Sequence, residues 1–193
     1  MGVGADDISE RYLRKAIRET NELAAEIGHA AGSGTPYVLG SGHALADVFL
    51  LKHAPQTAEL QEGVAFFGRA GQAVLKSVQR LGIDPMAIYG TNCVKYPGGP
   101  DGEAQGWLAR ELHIVQPKVV VVMGEEARAF LNALRFPLAH ALEETQGELQ
   151  RFTPTVEALV TPDIDASLDE ADAKRAFWEA FKALGPWWSE LPP

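Results

Sequence analysis

Two runs of consecutive apolar residues stand out along the chain, Val48-Phe49-Leu50-Leu51 and Val119-Val120-Val121-Val122-Met123. Uninterrupted runs of this length predict strands buried on both faces, as in a parallel sheet covered by helices. Residues 88–94, opening with Ile88-Tyr89, and residues 156–160 predict two further strands, and Tyr37-Val38-Leu39 is a shorter apolar run. Between them apolar positions recur at helical spacing. Leu13, Ile17, Leu23 and Ile27 predict a helix over 7–31, capped by Asp6 or Asp7 and ended by Gly32-Ser33-Gly34. Ala73, Val74, Leu75 and Val78 predict a second over 70–81, stopped by Gly82 ahead of Asp84-Pro85. Trp107, Leu108, Leu112 and Val115 predict a third over 103–115, broken by Pro117. Helices over 125–134 and about 169–184 complete the series, while the Gln- and Glu-rich segment up to Gly63 and the Pro97-Gly98-Gly99-Pro100 stretch are expected as loops.

Buried strands alternating with helices predict an α/β fold. The expected form is a three-layer α/β/α sandwich with an open, mostly parallel four-stranded central sheet. The expected organisation is a single domain over 1–193, with an N-terminal helix within 1–35 and a tail at 185–193 that carries Trp187 and Trp188. No internal repeat is visible. In such sheets ligands bind outside the carboxyl ends of the strands. That rule selects the loops 52–56, 91–96, 124–126 and 161–163.

Composition narrows the chemistry. The 193 residues are 46% hydrophobic and 22% charged, ordinary for a globular protein. Seventeen Lys and Arg against 26 Asp and Glu give a net charge of −9, which argues against a protein that coats nucleic acid but not against a local basic groove. The single cysteine, Cys93, leaves no internal disulfide, no four-thiolate zinc site and no iron–sulfur cluster held by this chain alone. No metal and no cofactor are therefore expected. The apolar runs are far shorter than the roughly 20 residues of a membrane helix. The first 14 residues are polar, without the apolar core of a signal peptide. A cytoplasmic monomer with no membrane partner is expected.

The candidate loops carry a resemblance. His53-Ala54-Pro55, then Gly63, then Phe66-Phe67-Gly68-Arg69-Ala70-Gly71 resembles the first motif of the uracil-DNA glycosylase superfamily, in its iron–sulfur bacterial and archaeal branch. That motif reads Gly-Glu-Ala-Pro-Gly, a spacer, then Gly-x-Pro-Phe-Val-Gly-x-Ala-Gly. Gly40-Ser41-Gly42 fits at its distance before Pro55, and Thr91-Asn92-Cys93-Val94-Lys95 resembles the branch's Thr-Asn-Val-Val-Lys. Trp107-Leu108, Leu112, Pro117-Lys118 and 119–124 resemble its next helix and strand, and Thr161-Pro162-Asp163 falls where the family has His-Pro-Ser. The resemblance spans roughly residues 20 to 184.

It implies an enzyme that flips a uracil or other deaminated base out of DNA and hydrolyses its N-glycosidic bond in base-excision repair. Phe66 matches the stacking aromatic, Asn92 the base-reading amide, and Ala54 and Pro55 the wall of the base site. Lys52, Arg69 and Lys95 are the expected DNA-binding cations. His53 stands where the family has its acid, and Thr161 where it has the histidine that stabilises the leaving base. With Asn92, these two form the candidate catalytic set.

Lys52 and Gln56 replace the two motif glycines. The family's cluster cysteines fall near Ala25, Gly28, Tyr96 and Ala104, with Tyr96 expected to fill the space. Asp163, Asp165, Asp169, Glu170 and Asp172 crowd the loop where the family inserts an apolar wedge, for which Leu168 is the candidate. Asp169, Glu170 and Asp172 suit the first turn of a helix, whereas Asp163 and Asp165 have no such explanation. Two other readings stand beside an active glycosylase. One is a non-catalytic superfamily member binding a nucleobase, nucleic acid or protein. The other is an unrelated doubly wound enzyme that binds a phosphorylated ligand at Gly40-x-Gly42.

Overall fold

The computed structural model describes residues 5–192. Its centre is one sheet. Strands β2 (Val48–Lys52), β3 (Ile88–Asn92), β4 (Val119–Met123) and β6 (Val156–Thr161) lie parallel in the order β3-β2-β4-β6. They are the four strands expected from the apolar pattern. Two short antiparallel strands extend the edges, β1 (Ser41–Gly42) on β3 and β5 (Leu149–Thr153) on β6, so the sheet has six strands rather than four. The edge strands escape the pattern because they are partly exposed and lack an apolar run.

Alternation along the strands sorts side chains to two cores. Phe49, Leu51, Tyr89, Val120, Val122 and Val160 meet α4 (Asp101–Val115) and α5 (Glu125–Ala133). Val48, Leu50, Val119, Val121, Met123 and Leu159 meet α3 (Arg69–Arg80), α6 (Ala171–Phe181) and α7 (Leu184–Ser189). The two faces make the three-layer sandwich. Outside it, α1 (Ala5–Ala31) packs Leu23 and Ile27 against Tyr96, Trp107 and Ile114, while Ile17 remains exposed. Asp6 and Asp7 lie inside its first turn.

Three local expectations change. The Gln- and Glu-rich loop holds a short helix, α2 (Thr57–Glu62), ended by Gly63 in the left-handed region. Strand β3 stops at Asn92 rather than continuing to Val94. The last helix divides at Lys182–Ala183, and Trp187 and Trp188, expected in the tail over 185–193, lie in α7.

The connection from β2 leaves through α2 and α3 on one face, and that from β4 leaves through α5 on the other. Neighbouring strands whose connections part in this way open a crevice at their carboxyl ends. No helix among the described residues is long and apolar enough to cross a membrane.

Candidate active site

The site begins with a register pair. Lys52 and Asn92 end β2 and β3 side by side and face the α3 layer. Every residue of β2 is buried, so Lys52 carries its ammonium into the interior at 1% exposure. A buried cation demands partners. Lys52 Nζ donates to Glu59 Oε2 at 2.6 Å, to Asp165 Oδ2 at 2.9 Å and to the Ala54 carbonyl at 2.9 Å.

Glu59, in the first turn of α2 and equally buried, organises the rest. Its Oε2 also accepts the Gln56 N–H at 2.7 Å, the backward half of a capping box. Its Oε1 accepts the Phe66 N–H at 2.6 Å and Asn92 Nδ2 at 3.2 Å. One carboxylate thus joins the start of α2, the Phe66 loop and the tip of β3.

Phe66 sits at φ 62°, in the left-handed region that a bulky residue rarely adopts. Two glycines make room for it. A Cβ on Gly71 would lie 1.7 Å from the Phe66 carbonyl oxygen, and one on Gly90 would lie 2.6 Å from its ring. Lys52 Nζ stands 5.7 Å from the ring centroid. A cavity of about 520 Å³ opens beside the ring between Leu50, Val74, Ile88 and Gly90.

Asn92 is held from both sides of the sheet. Behind it Lys95 Nζ donates to the Asn92 carbonyl at 2.8 Å, to Thr91 Oγ1 at 2.6 Å and to Glu111 Oε2 at 2.5 Å. Glu111 Oε1 in turn accepts the hydroxyls of Tyr89 and Thr91. Burial, then the nearby Glu111 carboxylate, raise the Tyr89 phenol well above its ordinary range. Cys93 faces the same layer, its thiol pushed up to about 12 chiefly by burial, which leaves it inert. Despite this support, Asn92 Oδ1 is buried and accepts no hydrogen bond among the described residues.

The other candidate residues fall in several places. Ala54 contributes its carbonyl to Lys52, and Pro55 follows it, half-buried, at the start of the loop into α2. Lys52 and Lys95, expected among the DNA-binding cations, are both inside the protein and paired with carboxylates. Arg69 is exposed and bonds Asp169 at 2.6 Å, drawing that carboxyl below its usual range. His53 turns to the opposite face. Its Nδ1 meets Glu126 Oε2 at 2.9 Å and its ring lies 6.3 Å from that of Phe130. Thr161 is buried and donates its hydroxyl to the Pro162 carbonyl at 2.9 Å.

The positions matching the family's cluster ligands do not fit a cluster. Ala25 is exposed on α1, Ala104 is packed in the core, and a Cβ on Gly28 would sit 2.8 Å from the Tyr37 hydroxyl. Tyr96 is buried against Trp107 with ring centroids 6.0 Å apart. None of these side chains offers a thiolate. Among the described residues, no group of three or more His, Cys, Asp or Glu is placed to hold a metal ion.

The family model of the uracil DNA glycosylase superfamily matches residues 39–184, a span that includes every residue of this site. The chain belongs to the uracil-DNA glycosylase superfamily. A type-4 uracil-DNA glycosylase of Archaeoglobus fulgidus is 26% identical over 162 residues, covering 78% of this chain and 81% of the relative. Type-4 uracil-DNA glycosylases of Sulfurisphaera tokodaii and Pyrobaculum aerophilum are 28% identical over 106 residues and 27% identical over 119. These cover 50% and 58% of this chain, and 48% and 61% of the relatives.

In and around this candidate site, four carboxylates escape the sequence reading: Glu59, Glu111, Glu126 and Asp165 in its bonded role. A signal for the first was present. A lysine at the end of a fully apolar strand requires an internal anion, and Glu59 stands three residues after the helix-starting Gln56.

Proposed function

We propose that this chain is a uracil-DNA glycosylase-like protein of base-excision repair. It receives a flipped-out deaminated base, uracil first, and hydrolyses its N-glycosidic bond with a catalytic set that departs from the family's. DNA is the partner, and no iron–sulfur cluster takes part.

The observation that carries this reading is the orphaned Asn92 Oδ1. A carboxylate only accepts, so the bond to Glu59 fixes which end of the amide is nitrogen. Oδ1 is left as a buried acceptor, a state that disfavours the protein by about 1–3 kcal/mol. Uracil supplies the missing donor, because its ring N–H lies between two carbonyls. The second Nδ2 hydrogen suits one of those carbonyls. Cytosine has no hydrogen on the corresponding ring nitrogen, so the amide discriminates against it. Phe66, locked at its unusual φ, supplies a flat face whose stacking is worth roughly 1–3 kcal/mol per base.

Catalysis here starts from a different balance of charge than in the family pattern. Thr161 donates its hydroxyl to Pro162, and His53 lies on the far face, so base recognition through Asn92 outweighs both. A second reading, a non-catalytic member that binds a base or nucleic acid, is favoured by one observation. Asn92 is covered, at 1% exposure, and the carboxylates of the loop after β6 hold cations on the site side.

The test uses single-stranded and duplex oligonucleotides carrying uracil, hypoxanthine or xanthine, with alkali cleavage of abasic products. Release of uracil supports the glycosylase reading. Binding of uracil or abasic DNA without release supports the second.

A further inference from the structure

We infer that Asp165 is the carboxylate that activates water at this site, supplied by the loop after β6 rather than by the segment 52–56 where the family pattern places its acid. The inference rests on the glycosylase reading and deepens it.

Four groups near Asn92 are of a type able to take a proton: Glu59, His53, Asp163 and Asp165. Glu59 cannot, because each of its oxygens already accepts two donors: Phe66 N–H and Asn92 Nδ2 on one, Lys52 Nζ and Gln56 N–H on the other. His53 lies on the opposite face of the sheet, with its Nδ1 2.9 Å from Glu126 Oε2. Asp163 is exposed and uses Oδ1 to accept the Asp165 N–H at 2.9 Å. Asp165 differs from all three. Its Oδ2 is held by Lys52 Nζ at 2.9 Å and Gln56 Nε2 at 3.3 Å, while Oδ1 accepts nothing among the described residues. Its side chain is 15% exposed, enough for water to reach it.

Asp165 is also tied to the base-reading group. Three contacts run from it through Lys52 and Glu59 to Asn92, at 2.9, 2.6 and 3.2 Å. The unpartnered Asn92 Oδ1 independently marks this face as the one that takes a ligand.

The charges suit the step. Lys52 faces Asp165 from β2, Glu59 from α2 and Asp163 from its own loop. One ammonium against Glu59 and Asp165 leaves the cluster a net negative charge, which stabilises a sugar that becomes oxocarbenium-like. Burial is the largest influence on the Asp165 carboxyl and raises it above its ordinary value despite Lys52, which strengthens it as a base. In the step, Asp165 Oδ1 takes a proton from water as the water oxygen bonds to C1′. The C1′–N bond breaks, and its electron pair leaves on the base anion, which then takes a proton from solvent.

The experiment compares wild type with Asp165→Asn, Asp165→Glu and His53→Ala on single-stranded uracil DNA, following kcat, KM, the pH profile and thermal stability. A general base contributes typically 10²–10⁴-fold. The expected result is a loss of about 100-fold or more in kcat for Asp165→Asn with KM nearly unchanged. The acid limb of the pH profile should disappear, Tm should not fall, and Asp165→Glu should regain part of the rate. A purely structural role would lower Tm and leave the acid limb in place, which overturns the assignment. Full activity in Asp165→Asn also overturns it while the glycosylase reading stands. No release and no binding by wild type overturn both. If Asp165→Asn fails to fold, the wild-type acid limb and Asp165→Glu decide. An acid limb absent from wild type, or unchanged in Asp165→Glu, overturns the assignment.

Discussion

Asn92 and Glu59 meet at 3.2 Å through Nδ2 and Oε1, and this contact turns the amide so that its oxygen is the group without a partner. Glu59 comes from a helix 33 residues earlier in the chain, so base recognition depends on how α2 docks against β3. The same carboxylate neutralises Lys52. Removing its charge therefore disturbs stability and recognition together. Glu59→Gln leaves Lys52 with the half-buried Asp165 as its remaining carboxylate, and breaking a buried pair on one side costs about 3–5 kcal/mol. Chemical denaturation should show a loss of that order, with uracil-DNA affinity falling in parallel.

Gly90 is the counterpart of Phe66. A methyl group at Gly90 would enter the ring of Phe66, and Phe66 is already held in a left-handed conformation. Gly90→Ala should displace the ring and destabilise the protein by about 1–3 kcal/mol. Base binding should weaken by up to the stacking contribution. Fluorescence titration with a uracil oligonucleotide carrying 2-aminopurine beside the target base, excited beyond the absorption of the protein's tryptophans, would report the loss of binding, and unchanged binding would show that Phe66 has no contact with the base.

Stability against pH follows from Asp165. Its carboxyl is raised, mainly by burial, so between its ordinary value and its native one the folded chain holds more protons than the unfolded chain. Stability from this group is full below the ordinary carboxylate value and is lost as pH rises through the raised native value. Asp165→Asn should flatten that decline in mildly acidic solution, measured as Tm from pH 4 upward. Asp169, lowered by Arg69, has the opposite sign and loses its contribution as pH falls through its native value.

The pair Arg69–Asp169 is exposed on both sides and contributes little to folding. Its bearing is on DNA. Asp169→Asn frees the Arg69 guanidinium and removes a charge that repels phosphate, so affinity for oligonucleotides should rise, most clearly at low salt. Anisotropy titrations at two salt concentrations measure it.

The sheet was legible because Val48–Lys52 and Val119–Met123 must be buried on both faces, and the helices followed from apolar spacing. The edge strands were not, since β1 and β5 carry no pattern of burial that distinguishes them from loop. Helix α2 is hidden in the sequence because its six residues are mostly polar and Glu59 is turned inward to bind, not outward to solvent. Phe66 and Asn92 were legible as motif residues, and the structure joins both to one carboxylate. The roles of Lys52 and His53 were not, because the alternation that ends β2 sends adjacent side chains to opposite faces, and sequence spacing alone did not say which face holds the site. Asp165 meets Lys52 across 113 residues, a pairing no local pattern contains.

The most direct test of the account is uracil release from a single-stranded oligonucleotide by wild type, Asn92→Ala and His53→Ala under one set of conditions. Wild type should release uracil measurably and Asn92→Ala about a hundredfold more slowly, the equivalent of losing roughly 3 kcal/mol of stabilisation at the reacting base, with His53→Ala affected less. Abolition by His53→Ala with Asn92→Ala at the wild-type rate would contradict it.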